Sequence, residues 1–177
     1  MIRWSAKTVL IASLVLFFIA PAHGRKPEDV FAGQIILSTK PFPYRFKSDR
    51  AFVRHMKKVR KKAVYYPASN EISLEFMAFF GRAYAATEYT CLVYNLTERN
   101  RMVTSFPIYP ESRNNRILAS GFKIKIDEFP EERHYQIVIS LNGQPIAQTK
   151  FAIKENTANR KARKAREKAL KKQKMTF

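Results

Sequence analysis

A single cysteine, Cys91, among 177 residues rules out an intramolecular disulfide and a four-cysteine zinc site. Lying inside an alternating apolar segment, it is expected to be a small buried core residue. Glycine is also scarce, with five in the whole chain, and no glycine-rich loop is present to cradle a phosphate chain. Histidine is confined to His23, His55 and His134, without an HExxH, GxSxG or HxE pattern. Acidic residues number 14 against 33 Lys and Arg. Four of them, Asp127, Glu128, Glu131 and Glu132, form one short run rather than a spaced acid and base pair, and such a run reads as a solvated turn. These shortages leave no catalytic residue, metal set or cofactor to name and predict a non-enzymatic protein.

What the chain has in excess is positive charge. The formal charge is +19, a field that favours anionic partners and carries no information about fold. The excess is clustered: Lys47 to Lys62 holds eight basic residues and Lys154 to Lys174 another ten, together 18 of the 33. Hydrophobic residues make up 46%, enough for one core, and the length suits one domain with extras.

The first 24 residues combine basic Arg3 and Lys7, an apolar run from Val9 to Ala20, and Pro21-Ala22-His23-Gly24. These are the three parts of an export signal, and cleavage after Ala22 or Gly24 fits equally well. A membrane span needs roughly 20 apolar residues, more than this run supplies. No Cys follows the run where a bacterial lipoprotein would be acylated. The expectation is a protein exported to the periplasm or beyond, with no transmembrane span after processing.

From residue 25 to 154 the pattern is that of alternating strands. Val30 to Leu37 reads as the first, broken by Pro41-Phe42-Pro43. Lys47 to Lys62 follows as an amphipathic helix over about 48–63, with Ser48 or Asp49 as N-cap and Phe52, Met56, Val59 and Ala63 on one face. Its other faces carry Arg50, Arg54, Lys57, Lys58, Arg60, Lys61 and Lys62. Glu71 to Phe80 alternates, with Ile72, Leu74, Phe76, Ala78 and Phe80 on one side, and Gly81 closes it. Glu88 to Leu96 sets Tyr89, Cys91 and Val93 on one side and Thr90, Leu92 and Tyr94 on the other, both faces partly apolar, as in a central strand. Met102 to Phe106 is a short return strand ended by Pro107 and Pro110, and Ile117 to Ile126 turns Phe122, Ile124 and Ile126 inward. Asn95-Leu96-Thr97 matches a glycosylation sequon, which bears on the protein only in a eukaryotic secretory pathway.

The clearest signal is Arg133 to Lys154. Tyr135, Ile137, Ile139 and Leu141 alternate with Gln136, Val138 and Ser140. Asn142-Gly143 then tolerates the positive φ of a type I′ turn and starts a return arm that reaches Phe151 and Ile153. About seven strands with regular turn signals predict a two-sheet, immunoglobulin-like antiparallel sandwich with one inserted basic helix. Residues 155–177 change character. Ala158, Ala162, Ala165 and Ala169 form a thin stripe among Arg160, Lys161, Arg163, Lys164, Arg166 and Lys168, predicting a disordered or fraying arm that becomes helical against an anionic surface.

The order of FAGQIILSTKPFP after the signal, the FMAFF strand, and HYQIVISLNGQPIAQTKFAI at the end resembles small secreted proteins of unknown function from Gram-negative bacteria with immunoglobulin-like domains. The resemblance covers roughly Val30 to Lys154 and implies export and a sandwich; it supplies no site residues. The lack of paired cysteines departs from antibody-type domains.

The functional candidates are therefore the basic side chains. Arg54, Lys57, Lys58, Arg60, Lys61 and Lys62, with Arg160, Lys161, Arg163, Lys164, Arg166 and Lys168, are expected to contact an anionic surface or polymer: lipid phosphate, lipopolysaccharide, acidic glycan or extracellular nucleic acid. Tyr44, Tyr65 and Tyr66 are candidates to stack on sugar or base rings. The alternative is an accessory or structural envelope protein whose sheet edge or aromatic surface, drawn from 14 Phe and 8 Tyr, meets a protein partner.

Overall fold

The computed structural model describes residues 26–43, 45–67 and 69–156. The export-signal segment, Tyr44, and the arm from residue 157 onward, with Arg160, Lys161, Arg163, Lys164, Arg166 and Lys168, lie outside the described residues. Asn142 and Gly143 adopt φ values of 50° and 78°, the pair of left-handed conformations a type I′ turn needs. They join β7 (Arg133–Leu141) to β8 (Gln144–Lys154) as an antiparallel hairpin. On the outer side of β7 lies β4 (Tyr89–Asn95), and beyond it β5 (Arg101–Ile108). A short β2 (Ala63–Tyr65) runs parallel to β8, completing a five-stranded sheet of order β2-β8-β7-β4-β5. The second sheet has three strands, β1 (Ile35–Ser38), β3 (Glu71–Tyr84) and β6 (Asn115–Lys125), in the order β1-β3-β6.

The two sheets enclose one core. The alternation expected of Ile72, Leu74, Phe76, Ala78 and Phe80 holds, all five being buried, and they meet Tyr89, Cys91, Val93, Tyr135, Ile137, Ile139 and Phe151 from the facing sheet. Among the rings Phe80 stacks on Tyr89 at 5.2 Å and Tyr135 on Phe151 at 5.5 Å. β3 is also buried on its other face. There Met77 and Phe79 join Phe31, Ile36 and Met56 in a second cluster, covered by α1 (Pro27–Val30) and α2 (Asp49–Val59). The helix α2 begins where its cap predicts, the Ser48 hydroxyl accepting from the Ala51 N–H. Phe52, Met56 and Val59 face the cluster as their spacing requires.

One side of the sandwich is closed by backbone hydrogen bonds. Lys61 N–H donates to the Leu37 carbonyl, Ala152 N–H to the Lys62 carbonyl, and Gln148 N–H to the Gly33 carbonyl. The other side is open, because β5 and β6 each have a single neighbour.

Several boundaries depart from the sequence pattern. The expected first strand splits: Pro27 starts a helical turn over Pro27–Val30, Gly33 turns the chain at φ 73°, and only Ile35–Ser38 is strand. The basic helix ends at Val59 rather than near residue 63, and Ala63 is strand. Pairing with β8 satisfies backbone groups that a further helical turn would leave exposed at the end of α2. This makes eight strands rather than seven. Gly81 does not close β3, which continues to Tyr84 past an irregularity opposite β6. Pro107 lies within β5, opposite Thr90, where an edge strand tolerates the missing N–H.

The double-sided burial of β3 gives an expectation for stability. Met56→Ala should destabilise the protein by about 2–5 kcal/mol in chemical unfolding, because Met56 is fully buried between α2 and β3. A loss below about 0.5 kcal/mol, the range of surface substitutions, would show that α2 is not docked there.

Candidate basic surface and adjoining cleft

The apolar face of α2 is committed to the second cluster, so its cations face outward. Arg50, Arg54, Lys57 and Lys58 are exposed and recur at intervals of four, three and one residues, placing them on one side of the helix. Arg60, Lys61 and Lys62 continue the exposed basic run, no longer as helix but as the crossing segment that ties β1 to β8. Arg60 Nη1 donates to Gln34 Oε1 at 3.2 Å. The salt bridges among the described residues use Arg101, Arg116, Lys123 and Arg133, and none engages a cation of α2 or of the crossing segment.

Parallel pairing of β2 with β8 places Tyr65 beside Lys154 and Ala63 beside Ala152. The end of β8, where the second basic cluster of the sequence begins, is therefore about three residues of strand, roughly 10 Å, from Lys62. The first cluster, which ends at Lys62, and the second, which begins at Lys154 some ninety residues later, thus meet at neighbouring strands. The acidic turn of Asp127 to Glu132 adjoins this end of the edge: the Tyr66 hydroxyl donates to the Phe129 carbonyl at 2.9 Å, and Glu132 Oε1 accepts from the Glu155 N–H at 2.8 Å, next to Lys154.

The two described stacking candidates part company. Tyr65 is 52% exposed, whereas Tyr66 is fully buried. Consecutive residues of a strand face opposite ways, and Tyr66 falls on the core side, so its ring has no free face for a ligand. Burial, with the nearby Tyr135, Glu131, Asp127 and Glu128, holds its phenol well above the ordinary tyrosine range.

Beside the last turn of α2 a cleft of ≈ 300 Å³ opens between the helix and the segment that follows β1. Phe42 and Val59 form apolar wall, and Lys40, Lys58, Lys61 and His55 line it. A larger cleft of ≈ 660 Å³ lies across the same Phe42-Pro43 strap, against Phe46, Phe52 and Met77. Sequence reading missed this wall, because Pro41-Phe42-Pro43 registers as a strand breaker and its packing over α2 depends on tertiary contact. The nearest signal was the proximity of Phe46 to the basic helix; its ring sits 4.8 Å from Phe52 and 5.2 Å from His55.

Elsewhere, Cys91 is fully buried, and burial pushes its thiol up to about 12. Asn95 of the sequon is buried too. Its Oδ1 accepts from the Thr97 and Glu98 N–H groups, while Thr97 Oγ1 accepts from His134 N–H. The sequon is thereby folded into the β4–β5 connection and offers no acceptor amide to solvent. Among the described residues no group of three or more His, Cys, Asp and Glu is placed to hold a metal ion, and no helix is long and apolar enough to cross a membrane.

The raised thiol sets an alkaline limit on stability. The folded state keeps the Cys91 proton up to about 12, while an unfolded thiol releases it near 9.0. Stability is therefore full below pH 9 and falls as pH rises through that interval. Melting temperature should drop from pH 9 upward, and in Cys91→Val the drop should begin later, where buried Tyr66 and Tyr135 take over. Identical pH profiles would contradict the assignment. No protein-family model matches the chain, and no curated protein matches it.

Proposed function

We propose that the protein is an exported, non-enzymatic binding protein that holds an anionic polymer or surface against the edge formed by α2, residues 60–62 and β2. The observation that carries this reading is the parallel β2·β8 ladder, which brings Lys154, where the second basic cluster begins, to the same edge as Lys62, where the first ends, while Asp49 is the one carboxylate on α2. Exposed Lys and Arg without carboxylate partners release counterions on meeting a polyanion, and affinity then depends steeply on salt. Lipid phosphate, lipopolysaccharide, acidic glycan and extracellular nucleic acid share this chemistry, and Tyr65 supplies an exposed ring beside it.

The sandwich on which this edge is built is, in this reading, immunoglobulin-like. The order β1-β3-β6 against β8-β7-β4-β5 follows the A-B-E and G-F-C-C′ arrangement of such domains. Tyr135, near the start of β7, donates its hydroxyl to the Pro130 carbonyl five residues upstream, as a tyrosine corner does. A second reading draws on the open side of the sandwich. There β5 is an unpaired edge with Met102 54% exposed, and Tyr109 just beyond it is 68% exposed, features suited to a protein partner adding a strand or docking on the aromatic rim.

Duplex DNA serves as a calibrated polyanion for the test. Binding should weaken linearly in log–log salt dependence, and the combined variant Lys57→Gln, Lys58→Gln, Lys61→Gln, Lys62→Gln should flatten the slope by about three to four. Retention unchanged by salt, or a slope unaltered in the variant, would remove this edge as the binding surface and leave the open β5 side as the surface to pursue.

A further inference from the structure

Within the basic edge, the ≈ 300 Å³ cleft beside α2 differs from the rest because it joins charge to an apolar wall. Its cations stand on held backbone. Lys40 follows a tight turn in which Ser38 Oγ donates to the Lys40 carbonyl and accepts from the Lys40 N–H. Lys58 is in the last turn of α2, and the Lys61 N–H is fixed to the Leu37 carbonyl. The wall is equally held: Phe42 and Val59 pack against the second core cluster, and the His55 ring rests against Phe46. No carboxylate lines the cleft, so the field within it is of one sign. The partial negative charge at the end of α2, about half an elementary charge, is outweighed by three ammonium groups.

The kind of cation narrows the ligand. The guanidinium of Arg matches carboxylate and phosphate alike through its two-pronged geometry, whereas lysine acts as a point charge, so three lysines lining one cleft favour the anion with the greater charge, a phosphomonoester dianion over a singly charged carboxylate. All the permanently charged groups lining this cleft are lysines. The volume is at the small end of ligand sites, enough for one ring beside the anion, and the Phe42 ring offers an apolar face for it. We infer that the cleft takes a terminal phosphomonoester on a sugar ring, the group found at the ends of phosphorylated glycans and glycolipids. This rests on the polyanion reading above and deepens it: the edge supplies general attraction, and the cleft selects the phosphorylated terminus.

The test is titration of the isotope-labelled protein with glucose 1-phosphate, followed by amide NMR, alongside inorganic phosphate, glucose and glucuronate. The expected result is saturable shifts confined to Ser38–Phe42 and His55–Lys61, with glucose 1-phosphate binding more tightly than the other three. Lys58→Gln with Lys61→Gln should weaken it about tenfold or more, as loss of charge-assisted hydrogen bonds does. Phe42→Ala should abolish its advantage over inorganic phosphate. Absence of saturable shifts at the cleft overturns the inference, as does equal binding of glucuronate or of inorganic phosphate by the unaltered protein. Salt-sensitive DNA binding measured on the same samples separates the two levels. A silent cleft with DNA binding intact refutes the cleft alone, and loss of both refutes the edge as well.

Discussion

The segment from Arg60 to Tyr65 closes the molecule. Within six residues it ends α2, donates the Lys61 N–H to β1, accepts from Ala152 of β8 and becomes β2. Without these bonds the β1 side of the three-stranded sheet would be a second open edge, and α2 would have no fixed exit from the face of β3. The same constraint decides where charge goes. A chain stretched between two sheets along their margin cannot bury its side chains, so Arg60, Lys61 and Lys62 stand in solvent, while Val64 and Tyr66 turn inward to the core. Structural closure and the basic edge are products of one stretch of sequence.

β3 carries the complementary burden. Its even-numbered residues from Ile72 to Phe80 fill the sandwich, and Met77 and Phe79 receive α2 and α1. Fixing α2 on this outer face aims Arg50, Arg54, Lys57 and Lys58 away from the core, and it leaves the strap of Pro41 to Pro43 to wall the two clefts. Core packing thus sets the direction of the charged stripe, and the hydrogen-bonded crossing sets its extent.

Much of this was legible in advance, for local reasons. The β7–β8 hairpin follows from period-two alternation around Asn142-Gly143, and α2 from a capping serine followed by apolar residues on one face. The inward set from Ile72 to Phe80 follows from strict alternation, and burial of Cys91 from its place in a strand apolar on both sides. The misreadings were non-local. Val30 to Leu37 looks like one apolar run, yet Pro27 and Gly33 divide it into helix, turn and strand. Lys61 to Ala63 continues a helical pattern but is drawn off by a strand ninety residues away. Tyr66 looked like a surface ring because its neighbours are basic, and only the pairing of β2 shows which of two adjacent tyrosines faces out. The cleft was invisible for the same reason, since its lysines come from three separate segments.

The account stands on the claim that polyanions meet the molecule at the α2 and β2 edge. The most direct measurement is residue-level mapping of a short heparin oligosaccharide on the labelled protein by backbone amide shifts. The account predicts shifts concentrated from Arg50 to Tyr65 and at Lys154, sparing the open strand β5. Shifts centred on β5 and Tyr109, or spread evenly over every exposed Lys and Arg, would contradict it.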